Sequence, residues 1–184
     1  AVFGLNRYYS KSSKRVSGHP YEVLKHSGSV EIRSYRPVVE ASVTQKGSFR
    51  QVSYSGFREL ANFIFGQNDQ NQQIPMTKPV KLSRNPDGSA TMSFVMPKGF
   101  EMPTVPRPKN KGITLNNNQA FKAATITFGG FASEKAMVRK KMELIDYLKR
   151  HNLKFNGETE YMRYNPPYQL FGRKNEVLIK IKND

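Results

Sequence analysis

The chain has 184 residues, 37% of them hydrophobic and 24% charged, with no cysteine and a formal net charge of +16. The missing cysteine excludes a disulfide scaffold, a thiolate metal centre and a cysteine nucleophile, and no apolar run approaches the ~18–20 residues that cross a bilayer as a helix. The positive field draws polyanions, anionic membranes and acidic ligands, but the basic residues are scattered along the chain, which disfavours a nucleic-acid binder.

Residues 1–20 carry Arg7, Lys11, Lys14 and Arg15, no acidic residue, and several serines. They read as a flexible basic arm, with residues 21–184 as a single domain. A removed targeting segment or a trimmed chain accounts for the start at Ala1, so an exported or organellar location is expected ahead of the cytoplasm.

From Tyr21 the pattern is β: Tyr21 and Val23, then Val30 and Ile32, then Val39, Ala41 and Val43 alternate with polar neighbours. Phe49, Val52, Gly56, Phe57, Leu60 and Ile64 follow at helical spacing and predict an amphipathic helix over 49–65. Gly66 and Asn68 suit its stop. Two strands are expected around 74–83 and 90–97, joined by the turn Asn85-Pro86-Asp87-Gly88. Four prolines between 97 and 112 mark a long connection.

The second half repeats the first. Val39–Phe49 lies over Phe121–Phe131 without a gap, with Ala41/Ala123, Gly47/Gly129 and Phe49/Phe131 identical. A second helix is predicted over 133–151 with Val138, Met142, Ile145 and Leu148 as its buried stripe, and the final strand holds Val177, Ile179 and Ile181. Each half reads strand, strand, helix, strand, strand. The expected fold class is α+β, one domain built from a duplicated unit with pseudo-twofold symmetry.

The pieces Tyr21-Glu22-Val23, Glu31-Ile32-Arg33 with Tyr35, Gly66-x-Asn68, Met76-Thr77-x-Pro79-Val80, Phe94-x-Met96-Pro97, Phe128-Gly129-Gly130, Tyr164-Asn165-Pro166-Pro167 and Gly172-Arg173-x-Asn175-Glu176-Val177 occur in order. On them the chain resembles the SOUL/haem-binding protein family from Tyr21 to Lys182. The resemblance implies a distorted antiparallel β-barrel flanked by two helices, binding haem or a related tetrapyrrole without general catalytic activity. It implies a hydrophobic cleft between the first helix and the loop before the last strand, which here holds Pro166, Pro167, Tyr168, Leu170 and Phe171. The chain departs from the pattern at Ser34, where some members have a histidine, and at Tyr54 and Asn62, where others have basic residues.

A porphyrin needs an apolar slot and donors for two carboxylates. Tyr54, Arg58, Ala61 and Phe65 form a second face of the first helix. A flat ligand across Tyr54 and Phe65, with Arg58 on a propionate, explains that face; alternatively Phe65 caps the helix and Arg58 is plain surface. His26, in a turn before Gly28, is the iron-ligand candidate, against a solvated turn histidine. His19 is placed in the arm, His151 at a helix end where it meets the dipole, and Met76 in the core rather than on iron. Arg173, Asn175 and Glu176 are expected to fix the loop before the last strand. The motifs of phosphate loops, nucleophile elbows and zinc hydrolases are missing from the sequence, so the reading is a monomeric, non-catalytic tetrapyrrole carrier or buffer. The alternative is an interaction module whose basic surface engages a protein partner, a polyanion or an anionic membrane.

Overall fold

The computed structural model describes residues 18–166 and 169–182. The arm up to residue 17, and with it most of the expected 1–20 segment, lies outside the described residues, as do Pro167 and Tyr168. The elements in chain order are β1 (Tyr21–Ser27), β2 (Val30–Tyr35), β3 (Val38–Lys46), α1 (Phe49–Ile64), β4 (Val80–Arg84), β5 (Ser89–Val95), β6 (Ile113–Asn118), β7 (Phe121–Gly129), α2 (Glu134–Arg150), β8 (Phe155–Arg163) and β9 (Lys174–Ile181). The class is α+β, and the strands pair antiparallel.

The described residues fall into two compact units, one built on Val38–Asn118 with the segment ending at His19, the other on Pro20–Pro37 and the chain from Gln119 onward. In the first unit the strand order is β4-β5-β3-β6, with α1 packed on the sheet. In the second it is β1-β2-β7-β9-β8, with α2 packed on β7, β8 and β9. The duplication is real, but the units are not the two halves of the sequence. Strand β2 precedes β3 in the chain yet pairs with β7, and β6 precedes β7 yet pairs with β3. The leading strand of each repeat is thus exchanged.

The gapless overlay of the repeats is corrected by one residue. In the first unit a Cβ built on Gly56 meets Val43 Cγ1 at 3.1 Å and Met92 Cβ at 3.3 Å, so Val43 and Met92 face the helix, and Ala41 shares that side by strand alternation. In the second unit Ala123 clusters with Tyr35, Met162 and Leu178, a group that contains no α2 residue. The helix therefore covers the other face, which carries the buried Ala124, Ile126, Val177 and Ile179. Ala41 corresponds to Ala124 and Val43 to Ile126; a one-residue slip reverses every side chain. The loop before α2 takes up the difference, and Phe131 is 61% exposed where Phe49 is 7%.

Helix α1 forms where its stripe demands. Val52, Leu60 and Ile64 are buried, and Ser48 and Gln51 cap the start reciprocally. Its end is closed by Asn68, which is 0% exposed and donates to the carbonyls of Phe63 and Gln72 while accepting from the amides of Gln70 and Gln72. The second helix departs from expectation. Its buried residues are Met137, Leu144, Tyr147 and Leu148, whereas Val138 and Met142 are each 50% exposed. Strand β6 is a further addition, since Ile113 and Leu115 alternate into an asparagine run.

The contact at Gly56 carries a stability prediction. Gly56→Leu is expected to lose about 1–3 kcal/mol through overpacking on Val43 and Met92. Gly56→Ala is expected to stay near neutral, because ~1 kcal/mol of helix propensity offsets the tight contact. Urea midpoints measure both.

Candidate functional site

In the second unit the sheet face away from α2 holds a buried charged cluster. Arg33 lies on β2 and Glu176 on β9, with side chains 2% and 0% exposed. Each is paired across β7, with Ala123 and Thr127 respectively, and residues directly opposite share a face. Arg33 donates Nη1 and Nη2 to the two Glu176 oxygens at 2.9 and 2.8 Å, Nε to Glu31 at 2.6 Å, and Nη1 to the Tyr35 hydroxyl at 3.1 Å. The Tyr164 hydroxyl donates to Glu176 at 2.6 Å, Thr127 donates at 3.1 Å, and Lys174 Nζ lies 3.0 Å away. The Arg33 guanidinium also sits 4.1 Å over the Tyr21 ring.

Burial alone would raise the Glu176 carboxyl, but the hydrogen bonds and charge of Arg33 pull it down to about 2. Burial opposes the charge on Arg33 too, yet its bonds to Glu176 hold it above the ordinary arginine range. The Tyr35 and Tyr164 hydroxyls are pushed up, first by burial and, for Tyr164, by the neighbouring carboxylate. All of these groups stay in one protonation state around neutral pH, which suits a fastening rather than proton transfer. The Glu-Ile-Arg-x-Tyr and Arg-Lys-Asn-Glu-Val stretches that stood out in the sequence meet here. The loop ahead of β9 is tied down as expected: Asn175 donates to the Gly130 carbonyl at 2.9 Å, Arg173 to that of Pro166 at 3.3 Å, and Asn165 accepts from the Lys174 amide at 2.6 Å.

The first unit has its own buried charges. Lys81 on β4 donates to Glu40 on β3 at 2.6 Å and lies 3.2 Å from His19 Nδ1. His19 is 5% exposed, which corrects its placement in a flexible arm. Gly18 makes that docking possible: a Cβ there would lie 1.5 Å from the Lys78 carbonyl oxygen.

The expected ligand residues divide between the units. On α1, Tyr54 is 73% exposed and Arg58 is exposed, Phe65 at the C-cap is half-buried, and Ala61 is 1% exposed on the packed side. Asn62, also on α1, is exposed. In the β8–β9 loop of the second unit Pro166 is buried, Leu170 is 62% exposed and Phe171 86%.

The histidines separate by environment. His26 on β1 has a side chain 65% exposed, with Nε2 3.8 Å from Glu31. His151 Nδ1 lies 2.9 Å from the Tyr147 carbonyl and its ring stacks on Tyr147 at 4.0 Å. Met76 is 5% exposed, and no cluster of three potential metal ligands occurs among the described residues. His26 and His151 are both exposed, and His19 is buried.

A family model described as SOUL heme-binding protein matches residues 16–180. Heme-binding protein 2 of Mus musculus is 27% identical over 173 residues, covering 90% of this chain and 84% of its own length. Heme-binding protein 1 of Mus musculus is 24% identical over 176 residues, covering 87% of this chain and 90% of its own. Among solved structures the EcmrR C-terminal domain aligns with a TM-score of 0.65 at 7% identity, over 89% of this chain and 99% of that one, a likeness of fold alone.

Proposed function

This chain belongs to the SOUL haem-binding family, and on that premise we propose that it binds haem or a related tetrapyrrole without chemical turnover, for carriage or buffering. The family match carries this reading. The exposed Tyr54 with Arg58 one turn on supports it, because a bare aromatic beside a guanidinium offers an anionic flat ligand both of its requirements. The ring is the apolar part, and the propionates are the charged part drawn by a net charge of +16.

Arg58→Ala and Tyr54→Ala are each expected to weaken hemin binding about tenfold, as lost charge-assisted and aromatic contacts do. Absorbance titration reads the change, and unchanged affinity in both variants removes α1 from the site. Leu170 and Phe171 are tested separately by substitution with serine, which reports whether the β8–β9 loop also covers the ligand. His26→Ala reports iron ligation through the position of the Soret band.

A second reading rests on α2. Val138 and Met142 are exposed beside the exposed Lys135, Arg139 and Lys149, a pattern that suits engagement of an anionic surface. It predicts vesicle binding that falls with salt and is lost in Val138→Glu/Met142→Glu.

A further inference from the structure

The second unit holds two arginines in opposite circumstances, Arg33 buried and Arg163 half-buried. Arg33 is fully engaged with carboxylates, as above. Arg163, on β8, has an Nε that is buried without a hydrogen-bond partner. Among the described residues its hydrogen bond runs from Nη2 to the Ala132 carbonyl at 3.3 Å, and it makes no ion pair with a described carboxylate. The charge that bears on it is a like one: burial, and then the Arg173 guanidinium, hold its pKa below the ordinary range. Arg173 stands 4.4 Å over the Phe131 ring, whose residue is 61% exposed.

A guanidinium partly removed from water without a counter-charge is disfavoured, and here the buried Nε is left without an acceptor. The loop does not need Arg163 for its anchorage, since the bonds of Asn175 to Gly130 and of Lys174 to Asn165 already tie it to the β7–α2 turn and to the end of β8. Two guanidinium groups that converge on Phe131 and Ala132, Arg163 through the Ala132 carbonyl and Arg173 over the Phe131 ring, match what a bound oxyanion requires: forked N–H donors and positive charge in a partly dehydrated setting. We propose that Arg163 and Arg173 form an oxyanion-binding site for a phosphate or carboxylate group, with the Phe131 ring as its apolar wall. The site goes beyond tetrapyrrole binding and does not depend on it, because its simplest ligand carries no ring.

Inorganic phosphate is the first probe and benzoate the second, by calorimetric titration and thermal melting of the whole chain. Saturation at one equivalent is expected for at least one of them. The melting temperature should rise by roughly 5–10 °C at a hundredfold excess over Kd. Arg163→Gln and Arg173→Gln are each expected to raise Kd at least about tenfold, while Arg150→Gln, on the exposed face of α2, leaves it unchanged. Arg173→Gln carries the test alone should Arg163→Gln not fold. No saturable binding of either probe, or unchanged Kd in the arginine variants, overturns the site. Hemin affinity measured on the same variants keeps the two readings apart.

Discussion

Glu176→Leu is expected to cost about 3–5 kcal/mol of folding stability, the usual result of stranding one partner of a buried ion pair, and to lower the melting temperature by on the order of 10 °C. The carboxylate is 0% exposed and holds Arg33, Tyr164, Thr127 and Lys174 at once, so its removal leaves the Arg33 charge with Glu31 as its acidic partner among the described residues. Arg33→Met/Glu176→Leu is expected to recover part of the loss, since the charges left behind, on Glu31 and Lys174, reach solvent, with the stranded Tyr164 hydroxyl accounting for the remainder. A double-mutant cycle gives the coupling, and a loss below about 1 kcal/mol in the single variant would contradict this account of the cluster. The pair also sets an acid limit. Glu176 titrates at about 2 in the folded chain against an ordinary 4.5. The unfolded chain therefore takes up the proton first, so the contribution is complete above pH about 4.5 and is lost as pH falls toward 2. Glu176→Gln is expected to flatten that part of the stability profile.

Lys81→Met is the counterpart in the first unit. Glu40 and Lys81 have side chains 6% and 3% exposed, and without the ammonium the Glu40 carboxylate is left, among the described residues, with His19 Nδ1 3.9 Å away. The expected cost is again about 3–5 kcal/mol. His19→Ala is expected to cost less than Lys81→Met, because it leaves the Glu40–Lys81 pair intact, but more than an exposed arm residue would. A His19→Ala variant with wild-type urea midpoint would return that residue to the arm.

These two clusters show where the sequence is readable. Helix α1 is legible because its apolar stripe, capping serine and closing Gly66 and Asn68 all agree, and local agreement of that kind is how a chain specifies an element. Helix α2 is not legible in phase. Val138, Met142 and Ile145 recur as regularly as Met137, Leu144 and Leu148, and packing on the sheet selects the second set. The asparagines of β6 conceal a strand, and the exchange of β2 and β6 between repeats cannot be read from spacing, because it depends on pairing between distant segments. Arg33 and Glu176 are 143 residues apart, so the sequence showed two conspicuous motifs without showing that they meet. The candidate ligand residues were legible only as a face of α1, and burial then separated Ala61 from Tyr54 and Arg58.

Hemin titration at low and high salt, with Arg58→Ala alongside, tests the proposed function most directly. Saturation at one equivalent, a Soret shift that persists at high salt, and affinity reduced about tenfold in Arg58→Ala are the predicted results. Binding that never saturates, fades as salt rises and is indifferent to Arg58 would contradict tetrapyrrole carriage and leave the basic surface as the functional feature.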